Sequence, residues 1–246
     1  MTTYLKKHGI TAGILLTAST LLLFVSPVQA GGNKTFAGDG RTAWGGPVGK
    51  ATLQLVDDTT NVTGTLTLTQ GDMGGNVLVL YIQAGTATGF ADTSGFNDTS
   101  DGIHQAISGV QAGNPGNRSV LTFLSGFTPN YALGIQLGNF AGLYGLANGS
   151  SLNYLGSLNL TPSSGSGSGT YTFSFNLASV GLPTGPTVVG QTIKILGTLV
   201  SGSGYRSPES IAGDTDGTSG WAPTAQTVLG TYLVGELPTI TYPVTV

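Results

Sequence analysis

The sequence predicts an all-β protein built as one antiparallel β-sandwich domain of two sheets, of the jelly-roll or immunoglobulin-like type. Runs in which β-branched and aromatic residues alternate with polar ones are separated by clusters of Gly, Asn, Asp and Pro, the pattern of strands joined by turns. Nine such runs match the strand number of a two-sheet sandwich. The candidate strands are residues 51–56, 62–69, 77–83, 119–123, 131–137, 157–160, 170–177, 192–200 and 227–234.

Two segments fit the strand pattern less well. Ile103, Ile107 and Val110 share a face at helical spacing, so 101–110 is either a short helix or an ordered loop with one helical turn. The Gly- and Ser-rich segment 163–169 is either an interdomain linker or a mobile hairpin loop. We favour the hairpin loop, because the predicted strands on both sides are short and have the same kind of sequence pattern.

The amino terminus has the three-part pattern of a secretory signal peptide. Lys6 and Lys7 precede an apolar run over 10–25, and small residues end at Ala30. A membrane anchor is the alternative, but Thr and Ser dilute the apolar run. The predicted organisation is therefore a signal peptide at 1–30, a β-sandwich domain at 31–236 and a C-terminal strand or assembly tail at 237–246. The expected location is secreted, either extracellular or at the cell surface.

The composition of the chain limits its partners. After removal of residues 1–30 the chain keeps all eleven acidic residues and six basic ones, a formal charge of −5, which argues against nucleic acid. Charged residues are only 8% of the chain, so its surface resists packing against its own copies less than a charged surface would. Cysteine is absent, which excludes thiolate zinc sites, thiol catalysis and disulfide exchange.

Enzyme signatures are absent from the sequence. The only histidine after residue 30 is His104, and neither a zinc-protease motif nor a nucleophile elbow occurs. Carboxylates could hydrolyse glycosides only if two of them faced each other across a cleft, whereas adjacent Asp57 and Asp58 would point to opposite sides of a strand. We therefore predict a protein without enzymatic activity, in which Asp57 and Asp58 cap a turn.

Two loops have the composition of a calcium site. Asp92, Asp98 and Asp101 lie in one polar loop, and Asp214 and Asp216 lie in another that continues with Gly and Thr. Calcium binds six to eight oxygens, and short Asp, Asn and Thr spacing supplies them from a single turn. Neither loop has the glutamate of an EF-hand. The alternative is that these aspartates make β-turns.

The two tryptophans are candidates for ligand binding. Trp44 and Trp221 both lie in Gly- and Pro-rich loop sequences. Exposed aromatic rings stack on sugars, while Asn, Asp and Gln bond the sugar hydroxyls. The alternative for Trp221 is a loop aromatic folded over the edge of the core.

Several short motifs resemble secreted microbial surface modules with a β-sandwich fold, namely the DOMON-like, glucodextranase C-terminal-like group. The likeness covers roughly 77–232. It is carried by Leu80-Tyr81-Ile82, Gly89-Phe90, Phe96-Asn97-Asp98 with Asp101, Phe140-Ala141-Gly142-Leu143, Tyr205-Arg206-Ser207-Pro208-Glu209 and Gly220-Trp221-Ala222-Pro223. The resemblance implies an extracellular accessory or adhesive module, here without a catalytic neighbour.

Together these features predict a structural or adhesive extracellular protein that self-assembles at the cell surface or in a matrix. Its partners would be copies of itself or an extracellular glycan, with no membrane span after signal cleavage. Residues 237–246 alternate apolar and polar side chains, so this tail would add a strand to a neighbour's sheet or close its own. A carbohydrate-binding module is the alternative function, and a secreted hydrolase is a distant third.

Overall fold

The structure is a computed structural model that describes residues 32–235. The predicted signal peptide at 1–30 and the tail at 237–246 lie outside the described residues. None of the helices in 32–235 is long and apolar enough to cross a membrane. In chain order the strands and helices are β1 Asn33–Ala37, β2 Thr52–Asp57, β3 Asn61–Asp72, β4 Val77–Gln83, α1 Gly102–Ser108, β5 Val110–Gln111, β6 Asn114–Arg118, β7 Leu121–Thr122, β8 Tyr131–Gln136, β9 Phe140–Gly145, β10 Asn153–Ser157, β11 Gly167–Asn176, β12 Thr192–Val200, β13 Arg206–Ile211, β14 Gly213–Thr215 and β15 Thr224–Leu233, with 3₁₀ turns at Leu177–Val180 and Gly185–Val188.

The strands form two main sheets. The first has the order β1-β2-β3-β11, and all its neighbours are antiparallel. The second has the order β10-β9-β8-β4-β12-β15-β14; β13 also pairs with β12, and β7 pairs with β15 in parallel. A separate hairpin joins β5 and β6. The prediction of an all-β protein is confirmed.

The central strand β4 is buried on both faces, which explains its continuous apolar sequence. Leu78, Leu80 and Ile82 belong to a core cluster that includes side chains from both main sheets. The intervening Val79 and Tyr81 belong to a second cluster, together with the apolar face of α1. Since successive strand residues point to opposite sides, a strand covered on both faces is apolar at every position.

Helix α1 resolves the alternative that the sequence left open at 101–110. Asp101 caps its first turn, because its Oδ1 accepts the N–H groups of Ile103 at 2.8 Å and His104 at 2.9 Å. Gly109, at φ 67°, ends it in the left-handed conformation that favours glycine. Residues 102–108 therefore form a helix of seven residues, whereas Val110, predicted to share its apolar face, begins β5.

The remaining differences lie in the short strands. Predicted strands 119–123 and 157–160 are wrong in extent: only Leu121–Thr122 is a strand, and β10 ends at Ser157. Strands β1, β5, β6, β9, β13 and β14 were not predicted. The segment predicted as a hairpin loop at 163–169 contributes its last three residues to β11, where a bulge falls between Gly167 and Gly169.

Asp57 holds the first and last described residues together. Its Oδ2 accepts the N–H groups of Gly32 at 2.8 Å and Gly235 at 3.1 Å, and also the hydroxyl of Tyr232. Its Oδ1 accepts the N–H of Thr59 at 2.9 Å, so the predicted turn cap is confirmed. Burial and the Asp57 carboxylate raise the pKa of Tyr232. We call this end of the fold the terminal end.

Asp58 completes the same turn. Its Oδ1 accepts the N–H groups of Thr60 at 2.9 Å and Asn61 at 2.6 Å. These backbone hydrogen bonds lower the pKa of the Asp58 carboxyl, since they stabilise its charged form.

Glu209 is a fully buried residue with no exposed surface. It accepts four backbone N–H groups of one loop: Oε1 accepts Trp44 at 2.9 Å and Gly46 at 3.2 Å, and Oε2 accepts Val48 at 3.0 Å and Gly49 at 3.1 Å. A buried N–H group without a partner is costly in free energy. Because no neighbouring strand of the described chain pairs with these four N–H groups, the carboxylate is their hydrogen-bond acceptor.

Replacing Glu209 by alanine is expected to lower the free energy of unfolding by about 3 kcal/mol or more, since it leaves these buried N–H groups unsatisfied. Urea denaturation measures the change. Glu209→Gln is also expected to be destabilised, because its amide NH₂ would face N–H donors. Asp72→Ala, at an exposed turn carboxylate, is the control. Wild-type stability in Glu209→Ala would contradict this role.

Candidate functional site

Three aromatic side chains from separate loops meet at the surface, and we call them the aromatic cluster: Trp44, Tyr205 and Trp221. The rings of Trp44 and Tyr205 lie 6.1 Å apart at an interplanar angle of 23°, and Trp221 meets Tyr205 edge-on at 5.0 Å. Trp221 is 38% exposed and the other two are half-buried. The two predicted ligand-binding tryptophans therefore lie in one cluster, joined by a tyrosine that was not predicted.

Backbone hydrogen bonds position each ring of the aromatic cluster. The Trp44 N–H donates to Glu209, which fixes its loop against β13. A tight turn holds Tyr205, because Ser201 accepts its N–H through Oγ at 3.0 Å and donates its own N–H to the Tyr205 carbonyl at 2.8 Å. Gly220 precedes Trp221 at φ 95°, a conformation that favours glycine, and its backbone pairs with that of Arg206.

An ion-pair network lies beside the loop of Trp44. The Arg41 guanidinium donates to Asp39 at 2.7 Å and to Asp214 at 2.6 Å, and also to the carbonyls of Pro208 and Thr215. Partial burial opposes the charge of Arg41, but the two carboxylates outweigh it and raise its pKa. Arg41 is thus paired with two carboxylates.

A groove lined by amide side chains lies next to α1, and we call it the amide groove. One part, of about 210 Å³, is lined by Asp101, Gln136, Asn139 and Phe140. The adjoining part, of about 490 Å³, shares Asn139 and Phe140 and continues along residues 158–161 to Ser163. Polar groups around an apolar ring are the features that fix and orient a small ligand.

Hydrogen bonds hold the amides of this groove in place. Asn139 Nδ2 donates to Gln136 Oε1 at 2.6 Å, and Gln136 Nε2 donates to the carbonyl of Gly75 at 2.9 Å. Gly138, at φ 73°, makes the turn between β8 and β9, and any Cβ there would lie 3.0 Å from the carbonyl oxygen of Gly165. The Gly- and Ser-rich segment therefore packs against this turn at one side of the groove.

The first predicted calcium loop uses its carboxylates as turn and helix caps. Asp92 Oδ1 accepts the N–H of Ser94 at 2.8 Å. Asp98 is buried; its Oδ1 accepts Ser100 N–H at 3.1 Å and its Oδ2 accepts Leu152 N–H at 2.7 Å. Burial opposes the charged form of Asp98, but these hydrogen bonds outweigh it and lower the pKa. Asp101 caps α1, as described above.

The second predicted calcium loop is arranged in the same way. Asp214 pairs with Arg41, and Asp216 accepts the N–H groups of Thr218 at 2.9 Å and Ala225 at 2.8 Å. The contacts of Asp216 are thus those of a turn-forming residue, which was the alternative to a calcium ligand. Within residues 32–235, no group of three or more His, Asp or Glu side chains is arranged to hold a metal ion.

His104 lies between two carboxylates. Its Nδ1 is 2.8 Å from Asp101 Oδ1, its Nε2 is 3.9 Å from Asp98 Oδ2, and its ring meets Tyr144 edge-on at 5.0 Å. Burial, with the nearby carboxylates, raises the pKa of the Tyr144 hydroxyl. The histidine side chain is only 16% exposed, so it contributes to the support of α1 against β9.

Comparison with known protein families, curated proteins and solved structures finds no match for this chain. The resemblance to the DOMON-like, glucodextranase C-terminal-like group therefore stays a prediction. Sequence reasoning missed Tyr205 and the amide groove, although Tyr205 and Phe140 occur in the motifs that carry the resemblance. The sequence signal that could have indicated the amide groove was the pair of amide residues Gln136 and Asn139 on either side of a glycine turn.

The calcium prediction is tested by thermal unfolding in calcium and in chelator. A cation that binds only the folded protein would add about 2.7 kcal/mol to the unfolding free energy at a hundred times its dissociation constant. Asp92→Asn and Asp216→Asn separate the two loops. Superimposable melting curves at millimolar calcium would contradict the prediction.

Proposed function

We propose that this chain is a non-enzymatic, secreted adhesive protein whose two sheets form a β-sandwich of jelly-roll or immunoglobulin-like type. It acts outside the cell or at the cell surface, and it binds extracellular glycan. The observation that carries the proposal is the aromatic cluster, where three rings from three loops meet at the surface. The non-enzymatic character rests on the sequence, with one histidine after residue 30 and no cysteine.

The chemistry of the aromatic cluster suits a sugar ring. Aromatic faces bury the C–H face of a sugar at a low cost in side-chain entropy, because a tryptophan has only two rotatable side-chain bonds. The neighbouring Arg41 is already paired with Asp39 and Asp214, so it is not a free cation for an acidic ligand. The formal charge of −5 after residue 30 also disfavours anionic glycans. A neutral glycan is therefore the proposed ligand.

Trp221→Ala is expected to weaken glycan binding at least about fivefold, since truncation of a central aromatic contact costs more than 1 kcal/mol. Glycan arrays identify the ligand, and calorimetry measures the affinity. Trp221→Phe, which keeps a ring, should retain more of the affinity. Val189→Ala, an exposed residue near the terminal end, is the surface control. A mature protein that binds no glycan, or a Trp221→Ala variant with unchanged affinity, would contradict the proposal.

Self-assembly is the second proposed activity, and the sheet edges favour it. β1 ends the first sheet and β10 ends the second. β10 exposes two large apolar side chains, Tyr154 at 51% and Leu155 at 40%. An edge strand of this kind can accept a strand from another chain through main-chain hydrogen bonds.

The sequence of the tail is suited to be that strand. Ile240, Tyr242, Val244 and Val246 are apolar and would share one face of an extended segment. N–H groups of successive residues point to opposite edges of a strand, so these four residues, each two apart in the sequence, would present a complete donor row along one edge of 240–246. Pro243 lacks its N–H on the other edge, where proline is tolerated if that edge faces solvent.

Val244→Pro is expected to abolish assembly of the mature chain, because it removes a donor from the complete row. Thr245→Pro is the matched control, since it changes the edge that already carries Pro243. Light scattering over a range of concentrations measures the particle size, and deletion of 237–246 should have the effect of Val244→Pro. A wild-type chain that stays monomeric would contradict self-assembly, and equal assembly of both proline variants would exclude the tail as the connector.

A further inference from the structure

The aromatic cluster and the amide groove lie at the same end of the fold. The pairing registers place Leu78 beside Ile135 on one side and beside Leu199 on the other. The turn before β4, the turn after β8 and the turn after β12 are therefore neighbours. We call this end, formed by residues 72–76, 137–139 and 201–205, the loop end.

Three glycines from separate segments connect the two regions, and we call them the glycine saddle: Gly75, Gly102 and Gly202. A Cβ at Gly102 would be 3.4 Å from the Cα of Gly202, and a Cβ at Gly202 would be 3.8 Å from the carbonyl oxygen of Gly75. No side chain rises from these positions. The saddle borders the amide groove at Gly75 and Gly102, and it borders the aromatic cluster through the 201–205 turn that ends at Tyr205.

The amide groove has the groups that bond sugar hydroxyls. Gln136 and Asn139 are fixed by their mutual hydrogen bond, so a ligand does not have to order them. The Asp101 side chain is 58% exposed and lines the groove, and the hydrogen bonds that cap α1 use only its Oδ1, so its second carboxylate oxygen is available as an acceptor. Burial opposes the charge of Asp101, but the helix N–H groups and His104 outweigh it and lower the pKa, which favours the ionised acceptor.

We infer that the aromatic cluster and the amide groove are two parts of one binding surface for a neutral polysaccharide chain, which crosses the glycine saddle between them. The inference rests on the proposed glycan adhesion and specifies its ligand class as an extended chain. The cluster supplies stacking faces, the groove supplies hydroxyl partners together with the Phe140 ring, and the saddle lets the chain lie close to the backbone. Binding at both regions at once makes affinity depend on chain length.

The test compares short and long ligands on the full mature chain. Cello-, manno- and chito-oligosaccharides from disaccharide to hexasaccharide, with the corresponding polymers, are titrated by calorimetry. For the sugar series that binds, the hexasaccharide is expected to bind at least about tenfold more tightly than the disaccharide. Trp221→Ala and Asn139→Ala should each reduce this gain, because each removes contacts from one of the two regions.

Gly75→Trp tests the saddle itself. A Cβ at Gly75 meets nothing closer than Gln136 Nε2 at 3.8 Å, and the residue does not have a positive φ, so a side chain can leave the backbone there without strain. A tryptophan at this position is expected to obstruct the path of the ligand. This variant should lose the affinity gain of the long ligand, whereas a disaccharide, which fits within the aromatic cluster alone, should keep its affinity. Ala178→Trp, exposed beside Asn176 at the opposite end of β11, is the matched control and should keep both. Melting curves confirm that the variants are folded.

The possible results separate the inference from the function on which it rests. If neither these ligands nor any glycan on the arrays binds, glycan adhesion itself is wrong. If Trp221→Ala weakens binding but long and short ligands bind equally, adhesion through the aromatic cluster stands and the extended surface is wrong. If the length gain survives Gly75→Trp, the chain does not cross the saddle and the inference is overturned.

Discussion

The Glu209 carboxylate determines where the loop of Trp44 lies. Residues 38–51 contain no strand of the main sheets, and hydrogen bonds within the loop satisfy only some of its backbone N–H groups. Glu209 supplies a partner to four N–H groups at once from the middle of β13. These four donors replace the water that hydrates an exposed carboxylate. The loop is thereby held against the strand that follows Tyr205, and the two rings meet.

The two ends of the fold differ in what they bring together. At the terminal end, Asp57 binds both Gly32 and Gly235, so the chain enters and leaves the sheets at one point. At the loop end, the turns between strands bring together the aromatic cluster, the glycine saddle and the amide groove. Asn61 pairs with Asn176 near the terminal end, and Asp72 pairs with Gly167 near the loop end, so β3 runs from one to the other. The described chain therefore ends on the side away from the proposed glycan surface.

The sequence predicted a strand correctly where a single requirement, such as burial, determines the residue type at every position. β4 was predicted correctly, because burial on both faces requires an apolar residue at every position. β9 was missed since its glycines interrupt the alternation: a Cβ at Gly142 would lie 2.8 Å from the Phe140 ring and 3.1 Å from the Tyr144 ring. Glycine is therefore needed there because two aromatic side chains occupy the same face. A requirement of this kind depends on neighbours that the local sequence does not show.

In the candidate site, too, features of the local sequence were predicted and features that depend on distant neighbours were not. Both tryptophans were predicted from their loop composition, whereas the cluster depends on Tyr205, which reaches them only after β12 and β13 pair. The aspartates were recognised as loop residues that bind through oxygen, but sequence spacing does not distinguish a cation from a backbone N–H as the partner. The amide groove could not be predicted, because its walls are brought together by the register of β8 and β9 and by the contact of Gly138 with Gly165.

Several charged side chains of the described chain make their hydrogen bonds within it. Arg206 is fully buried and donates to Thr198 Oγ1 at 2.5 Å, and Arg118 donates to the carbonyls of Ser94 and Phe96 at 3.0 Å and 2.9 Å. Partial burial lowers the pKa of Arg118. With Glu209 and Asp57 also turned inward, the remaining surface is rich in Gly, Ser, Thr and Asn. Such a surface has hydrogen-bonding groups without strong fields, so it suits neutral partners, whether a polysaccharide or a second copy of the chain.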